Sequence, residues 1–170
     1  KYKPRLVTVD SEHSAIMQCL KGEKHKQIDK ILLTASGGPF FDKDINDDIK
    51  PNDALNHPTW KMGRKVSIDS STMMNKGFEV IEAKWLFNVK PEQIEVVVHR
   101  QSLVHSMVQF CDGTIMASIG PKSMQIPISY ALNLCNRINN QIDFLLAKKK
   151  YLIPLFKLSV TLLDPNNNDN

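Results

Sequence analysis

The residues best suited to chemistry are two carboxylates in "VDSEH" and a polar cluster in "DSSTMMNKGFE". Asp10 and Glu12 stand two residues apart, where an apolar run gives way to a helix-like pattern. At the C-terminal edge of a strand, where open α/β sheets take ligands, such a pair faces a crevice. With Glu79 they make three oxygen ligands, a set suited to Mg²⁺ or Mn²⁺ rather than zinc. On a helix through 71–87, Asn75 and Glu79 are four apart and Lys76 and Glu79 three apart, so the three project close together. Asp69 and Ser70 come just before its first turn. Free N–H groups and the dipole of a helix start, joined by a hydroxyl, an amide and an ammonium, favour a phosphate. Both patterns also have a plain structural meaning. "VDSEH" is what an N-cap with an acidic first turn looks like, and the second cluster fits an N-cap with a surface Lys–Glu pair.

Two further stretches extend the constellation. "TASGGPF" places Ser36, Gly37 and Gly38 after a strand, where successive N–H groups can cradle a phosphate or simply make a turn. His57, Trp60 and Met62 stand out in a polar stretch; Trp60 either closes over a ligand or packs beneath its own loop. His99 and His105 flank "RQSLV" at strand ends and suit a structural role as well as a site. Together the signals describe a divalent cation held by carboxylates, beside an anion pocket of serines, Asn75 and Lys76, under a lid.

These residues need elements to carry them. Arg5–Val9 reads as a strand running into Asp10. Ser11 is placed to N-cap a helix from Glu12 to about Leu20, with Ala15, Ile16, Cys19 and Leu20 on one face. Ile31–Ala35 has the length and composition of a strand, so strand, helix and strand suggest a βαβ unit in an α/β domain. Phe41 to Gly63 reads as a long lid loop with a short helix near Asp53–Asn56. "KVSID" (65–69) is expected as a strand and 71–87 as a helix, with Met74, Phe78, Ile81 and Trp85 as its core-facing stripe. "IEVVVH" (94–99) is another strand, and Cys111-Asp112-Gly113 marks a hairpin between "VHSMVQF" and "TIMASI". Beyond about Asn140 the pattern weakens, and "DPNNNDN" is low in complexity and expected to be disordered.

Length and charge narrow the function. The chain has 170 residues, 42% hydrophobic and 24% charged, and a net charge of +4 that suits an anionic substrate. The one basic run, Lys148–Lys150, has no aromatic interleaving, so a nucleic-acid partner is not expected. Cys19, Cys111 and Cys135 show no metal spacing and read as buried free thiols. No apolar run reaches membrane-spanning length; the longest, Tyr151–Leu163, is broken by Pro154 and Lys157. The start at Lys1, close to the first expected strand, suggests that an upstream part is missing.

"VDSEHSAI", "LLTASGGPF", "HPTWKMGRKVSIDSSTMMNKGFEVIEAKWLF" and "VHRQSLVHSMVQFCDGT" closely resemble, in this order, the central catalytic region of the 1-deoxy-D-xylulose 5-phosphate reductoisomerases. The resemblance covers about residues 6–137. It implies an α+β catalytic domain over 1–140, with a mixed sheet, helices on one face and a flap at 36–64, followed by a weakly matching tail over 141–170. It implies Asp10, Glu12 and Glu79 as ligands of Mg²⁺ or Mn²⁺, with Glu12, Glu79 and His105 in the catalytic set. Ser11, Ser36, His57, Trp60, Ser70, Asn75 and Lys76 would contact a sugar phosphate, mostly at its phosphate end. Gly63 and Met124 would lie near the nicotinamide of NADPH. Such enzymes chelate the sugar's hydroxyl and carbonyl oxygens, rearrange the skeleton and reduce the aldehyde with NADPH, in isoprenoid biosynthesis by the non-mevalonate pathway.

The family's N-terminal Rossmann-like domain and C-terminal helical domain are not recognisable here. Arg100 stands where the family commonly has proline, and Ser71 where alanine is common. Two readings follow: the catalytic core of a reductoisomerase, or a truncated module that binds metal and phosphate without turnover. A homodimer is expected for the intact enzyme, without membrane partners, in bacterial cytoplasm or a plastid-type organelle.

Overall fold

The structure, a computed structural model, describes residues 6–43, 48–58 and 60–139. Residues 6–138 belong to one compact unit; of a second, Asn139–Asn170, only Asn139 is described. The expectations for Arg5 and for the 141–170 tail lie outside the described residues.

Four strands form one mixed sheet in the order β2-β1-β3-β4: β1 (Ile28–Ala35), β2 (Ile94–Val98), β3 (Val104–Phe110) and β4 (Ile115–Ile119). β1 and β2 are parallel, with Ile31 opposite Ile94 and Ala35 opposite Val98. A parallel pair needs a crossover, and here it spans the chain between Ala35 and Ile94, holding most of the candidate site residues. β3 is antiparallel to both β1 and β4. The β3–β4 turn at Cys111-Asp112-Gly113 is closed by Phe110 N–H donating to Thr114 O (2.8 Å), with Gly113 at φ +85°.

Among the described residues five α-helices accompany the sheet: α1 (Ser11–Cys19), α2 (Pro51–Leu55), α3 (Arg64–Ser71), α4 (Met74–Phe87) and α5 (Gln125–Leu132). The core is where α1 and α4 meet the sheet. Ile16, Cys19 and Leu20 from the first, and Ala83 and Phe87 from the second, cluster with Ile31, Leu33 and Val108. Removing such side chains from water stabilises by about 1.5–3 kcal/mol apiece. No helix among the described residues is long and apolar enough to cross a membrane.

β3 is irregular between Val104 and Met107, where Ser106 sits at φ +136°. Side chains replace the lost ladder: Thr34 N–H donates to Ser106 Oγ (3.2 Å) and Thr34 Oγ1 to Val104 O (3.1 Å). This pins the end of β1, whose Thr34 carbonyl serves the site described below.

Several expectations are corrected. Leu6–Val9 is not a strand: β2 and β3 flank β1 on both sides, and Leu6 (74% exposed) has no sheet neighbour, so no βαβ unit begins the domain. Asp10, not Ser11, N-caps α1, its carboxylate accepting from Glu12 N–H. "KVSID" is helical. Its alternation imitates a strand, yet it is Ser67 and Ser71, four apart, that are buried, while Val66 and Ile68 are exposed and Lys65 pairs with Asp69 across one turn (2.5 Å). The expected helix from 71 is broken at Met73, which takes a left-handed φ of +60° and separates α3 from α4. The stripe of Met74, Phe78, Ile81 and Trp85 faces outward, Trp85 at 73% exposure; the buried face is Lys76, Glu79, Ala83 and Phe87. Cys111 is an exposed thiol, whereas Cys19 and Cys135 are buried and free. α5 has no counterpart in the sequence reading.

Candidate active site

The N-terminus of α1 meets the first turns of α4 against the end of β1. Asp10, Glu12 and Glu79 each bring a carboxylate oxygen to within 4.8 Å of the others. Lys76 lies among them, 8% exposed. Its Nζ donates to Glu79 Oε2 (2.5 Å), Thr34 O (2.5 Å) and Glu12 Oε1 (3.2 Å), so all three ammonium protons are taken. Ser11 Oγ donates to Glu12 Oε2 (2.5 Å), and Asn75 Nδ2 to Glu79 Oε1 (2.6 Å). His13, 1% exposed, sits behind the group with Nε2 on the Glu79 carbonyl (3.0 Å).

Three carboxylates against one ammonium leave the group short of positive charge. Glu79, 4% exposed, is pushed up to about 8, by burial first and the Glu12 charge second, against the pull of Lys76. Asp10 is raised to about 6 by desolvation at the cavity wall and then by Glu12, although its side chain keeps 44% exposure. Glu12 goes the other way: burial opposes its charge, but Lys76 and the Ser11 hydroxyl outweigh it. Burial likewise works against the Lys76 charge, and Glu12 and Glu79 more than restore it. Buried carboxylates gathered without enough cation suit a hard divalent ion, and carboxylate oxygens keep a second lone pair beyond these hydrogen bonds. The donor set therefore fits Mg²⁺ or Mn²⁺.

A second polar group lies along the same cavity. Ser36 Oγ and His57 Nε2 are 3.0 Å apart, and Trp60 N–H donates to His57 Nδ1 (2.9 Å). Nδ1 accepts, so Nε2 carries the proton and donates to Ser36, leaving the serine O–H for another acceptor. Burial, and then the charge of Arg100, hold His57 below its ordinary value, in keeping with a neutral ring. The turn before it is glycine by necessity. Gly38 has φ +71°, and a Cβ there would come within 2.6 Å of the Ser70 carbonyl. Only glycine lets the turn close on the end of α3, which brings Ser36 and Ser70 to one wall.

The cavity measures about 400 Å³. Every expected site residue lines it except Gly63 and His105. Gly63 caps the start of α3, and no atom lies within 4 Å of where its Cβ would stand. His105, on β3, has Nε2 at 3.2 Å from both Gly120 O and Pro121 O, and its ring centre is 6.3 Å from that of Trp60. Trp60 thus both lines the cavity and packs on His105. Lys61 also lines it and was missed. The Thr34 carbonyl was missed as well, because backbone acceptors leave no mark in side-chain spacing.

The family model for the 1-deoxy-D-xylulose 5-phosphate reductoisomerase C-terminal domain matches residues 6–87. The reductoisomerase of Clostridium acetobutylicum is 58% identical over 149 residues, 85% of this chain and 39% of that protein. This region of the chain belongs to the 1-deoxy-D-xylulose 5-phosphate reductoisomerase family. The reductoisomerase of Thermoanaerobacter pseudethanolicus is 55% identical over 143 residues, 82% of this chain and 37% of its own length. A reductoisomerase crystallised with NADPH, fosmidomycin and magnesium superposes with a TM-score of 0.74 at 44% identity, covering 80% of this chain and 36% of that one. The reductoisomerase of Zymomonas mobilis, in complex with NADPH, gives 0.74 at 42% identity over 82% of this chain and 36% of its own. The chain therefore spans less than two-fifths of the reductoisomerases it matches.

Proposed function

We propose that this chain carries the metal- and substrate-binding part of an NADPH-dependent reductoisomerase that converts 1-deoxy-D-xylulose 5-phosphate into 2-C-methyl-D-erythritol 4-phosphate. One observation carries the reading: Asp10, Glu12 and Glu79 converge within 4.8 Å in the wall of a cavity that the Ser36–His57 pair also lines. The two groups suit a sugar phosphate held by its oxygens at one end and by its phosphate at the other.

In this reading Asp10, Glu12 and Glu79 hold Mg²⁺ or Mn²⁺, which is supported by a structural relative crystallised with magnesium. The bound ion supplies Lewis-acid polarisation of the sugar carbonyl and fixes the neighbouring hydroxyl. Asn75 and Lys76 orient the Glu79 carboxylate and keep its charge in place. Ser36 offers its free O–H to the phosphate, with Ser70, Asn75 and the His57 ring nearby. Trp60 covers the cavity and limits water. Met124, 38% exposed on the wall, and the open backbone at Gly63 leave room for a flat ring such as the nicotinamide, the hydride donor. His105 acts through Trp60, against which it packs.

The test is Mn²⁺ titration of the 170-residue chain followed by electron paramagnetic resonance. Wild type is expected to bind one ion, and Glu79→Gln to weaken binding at least about tenfold. Equal binding by both proteins refutes the metal assignment.

A second reading concerns the 170 residues taken by themselves. In it these 170 residues bind metal and substrate without turnover. NADPH oxidation by the purified chain with Mg²⁺ and 1-deoxy-D-xylulose 5-phosphate would refute this one. For the intact enzyme we infer a homodimer, supported by the unpaired edge of β4 among the described residues. The bacterial origin of the relatives supports a bacterial cytoplasm over a plastid-type organelle.

A further inference from the structure

Arg100 follows β2 in "VHRQS" and has no place in the site assigned above. Its guanidinium nevertheless grips one turn at several points. Nη1 donates to Ser36 O (3.2 Å) and Gly38 O (3.0 Å), and Nη2 lies 3.1 Å from Asp42 Oδ2. Cζ stands 5.3 Å from the centre of the Phe41 ring. That ring packs so closely on the turn that a Cβ on Gly37 would sit 2.9 Å from Phe41 Cγ. In a trans peptide the N–H points opposite the carbonyl. Anchoring the Ser36 carbonyl on Arg100 therefore turns the Gly37 N–H away from Arg100. Ser36 and Gly37 line the cavity; Arg100 does not.

We propose that Arg100 is a positioning residue for the anion end of the cavity: its forked hold on the Ser36 and Gly38 carbonyls sets Ser36 Oγ, the Gly37 N–H and, through Ser36, His57 to receive a phosphate group. The proposal rests on the phosphate reading above. A guanidinium serves this task because its donors lie in one plane on separate nitrogens, so that Nη1 holds the two carbonyls while Nη2 faces the Asp42 carboxylate. The aromatic face of Phe41 fixes its plane.

The experiment titrates inorganic phosphate into the Mn²⁺-loaded chain, and Mn²⁺ into the metal-free chain, for wild type, Arg100→Ala and Arg100→Lys. The ¹⁵N shifts of the His57 ring are recorded alongside. Arg100→Ala should weaken phosphate binding about tenfold or more, the loss of one or two charge-assisted hydrogen bonds acting through the turn. Mn²⁺ affinity should stay within about twofold of wild type, since Arg100 touches none of the carboxylate group. The His57 signal should pass from one tautomer to a mixture, and Arg100→Lys should recover part of the loss. Wild-type phosphate affinity in Arg100→Ala, or equal losses of phosphate and Mn²⁺, overturns the proposal. If Arg100→Ala does not fold, Arg100→Lys decides it: weakened phosphate with unchanged Mn²⁺ supports, unchanged phosphate overturns. Wild type that binds no phosphate refutes the phosphate reading itself, and this proposal with it.

Discussion

Lys76 Nζ and Glu79 Oε2 are 2.5 Å apart on consecutive turns of α4, both nearly sealed from water, and the same ammonium also holds Glu12 from α1. One cation thus restrains two buried carboxylates from different helices. Lys76→Met should strand the Glu12 charge and leave Glu79 without its ammonium donor. Without metal it should cost about 3 kcal/mol, the usual penalty for breaking a buried pair from one side, read from urea unfolding. Saturating Mn²⁺ should return much of that loss, because the ion replaces the missing charge.

The contribution of Asp10 and Glu79 to metal-free stability should fall as pH rises from 5 to 9. The Glu79 carboxyl titrates near 8 in the folded protein against an ordinary 4.5, and Asp10 near 6 against 3.8. A raised carboxyl contributes stability that is fully present below its unfolded value and is lost as pH climbs through the folded one. The decline from Asp10 should be largely complete by pH 7, and that from Glu79 should continue to about pH 9. Mn²⁺ affinity should move oppositely, tightening over the same range as protons leave its ligands. Urea midpoints and Mn²⁺ titrations at pH 5, 7 and 9 check both directions.

Gly38→Ala should damage the protein and Gly77→Ala should not. At Gly38 a methyl meets the Ser70 carbonyl at 2.6 Å with φ at +71°, a clash plus backbone strain of about 2–4 kcal/mol. Gly77 lies inside α4 with nothing within 4 Å, so alanine there should stabilise by about 0.5–1 kcal/mol. Thermal melts of the two variants give opposite signs.

Trp85→Arg should leave stability within about 0.5 kcal/mol of wild type, whereas Phe87→Ala should cost about 3–5 kcal/mol. The first residue is 73% exposed with Lys84 Nζ over its ring at 4.6 Å; the second is 4% exposed in the core. A core-facing outer stripe on α4 predicts the reverse order, so the pair tests which way the helix is turned.

That rotation shows what the sequence made legible. Asp10, Glu12 and Glu79 were readable as one group because carboxylates that could suit a hard cation stand out by type, and the structure brings the three together. The hairpin at Gly113 and strand β1 were readable because their signals are local. The orientation of α4 was not: the periodicity of Met74, Phe78, Ile81 and Trp85 is real, but Lys76 and Glu79 need each other and Glu12 more than the stripe needs cover within the described residues. "KVSID" misled for a related reason. Its two apolar residues alternate as in a strand, while small Ser67 and Ser71 do the packing. Arg100 was visible only as a departure from the family, since its partners are backbone carbonyls on a distant turn.

Ser70 rides on α3, whereas Asn75, Lys76 and Glu79 ride on α4, and the two helices meet at the left-handed Met73. The spacing between that hydroxyl and the Glu79 carboxylate is therefore set by the backbone of Thr72 and Met73, the two residues between the helices. Any change in that spacing has to come from this two-residue joint, because each helix keeps its own regular pitch.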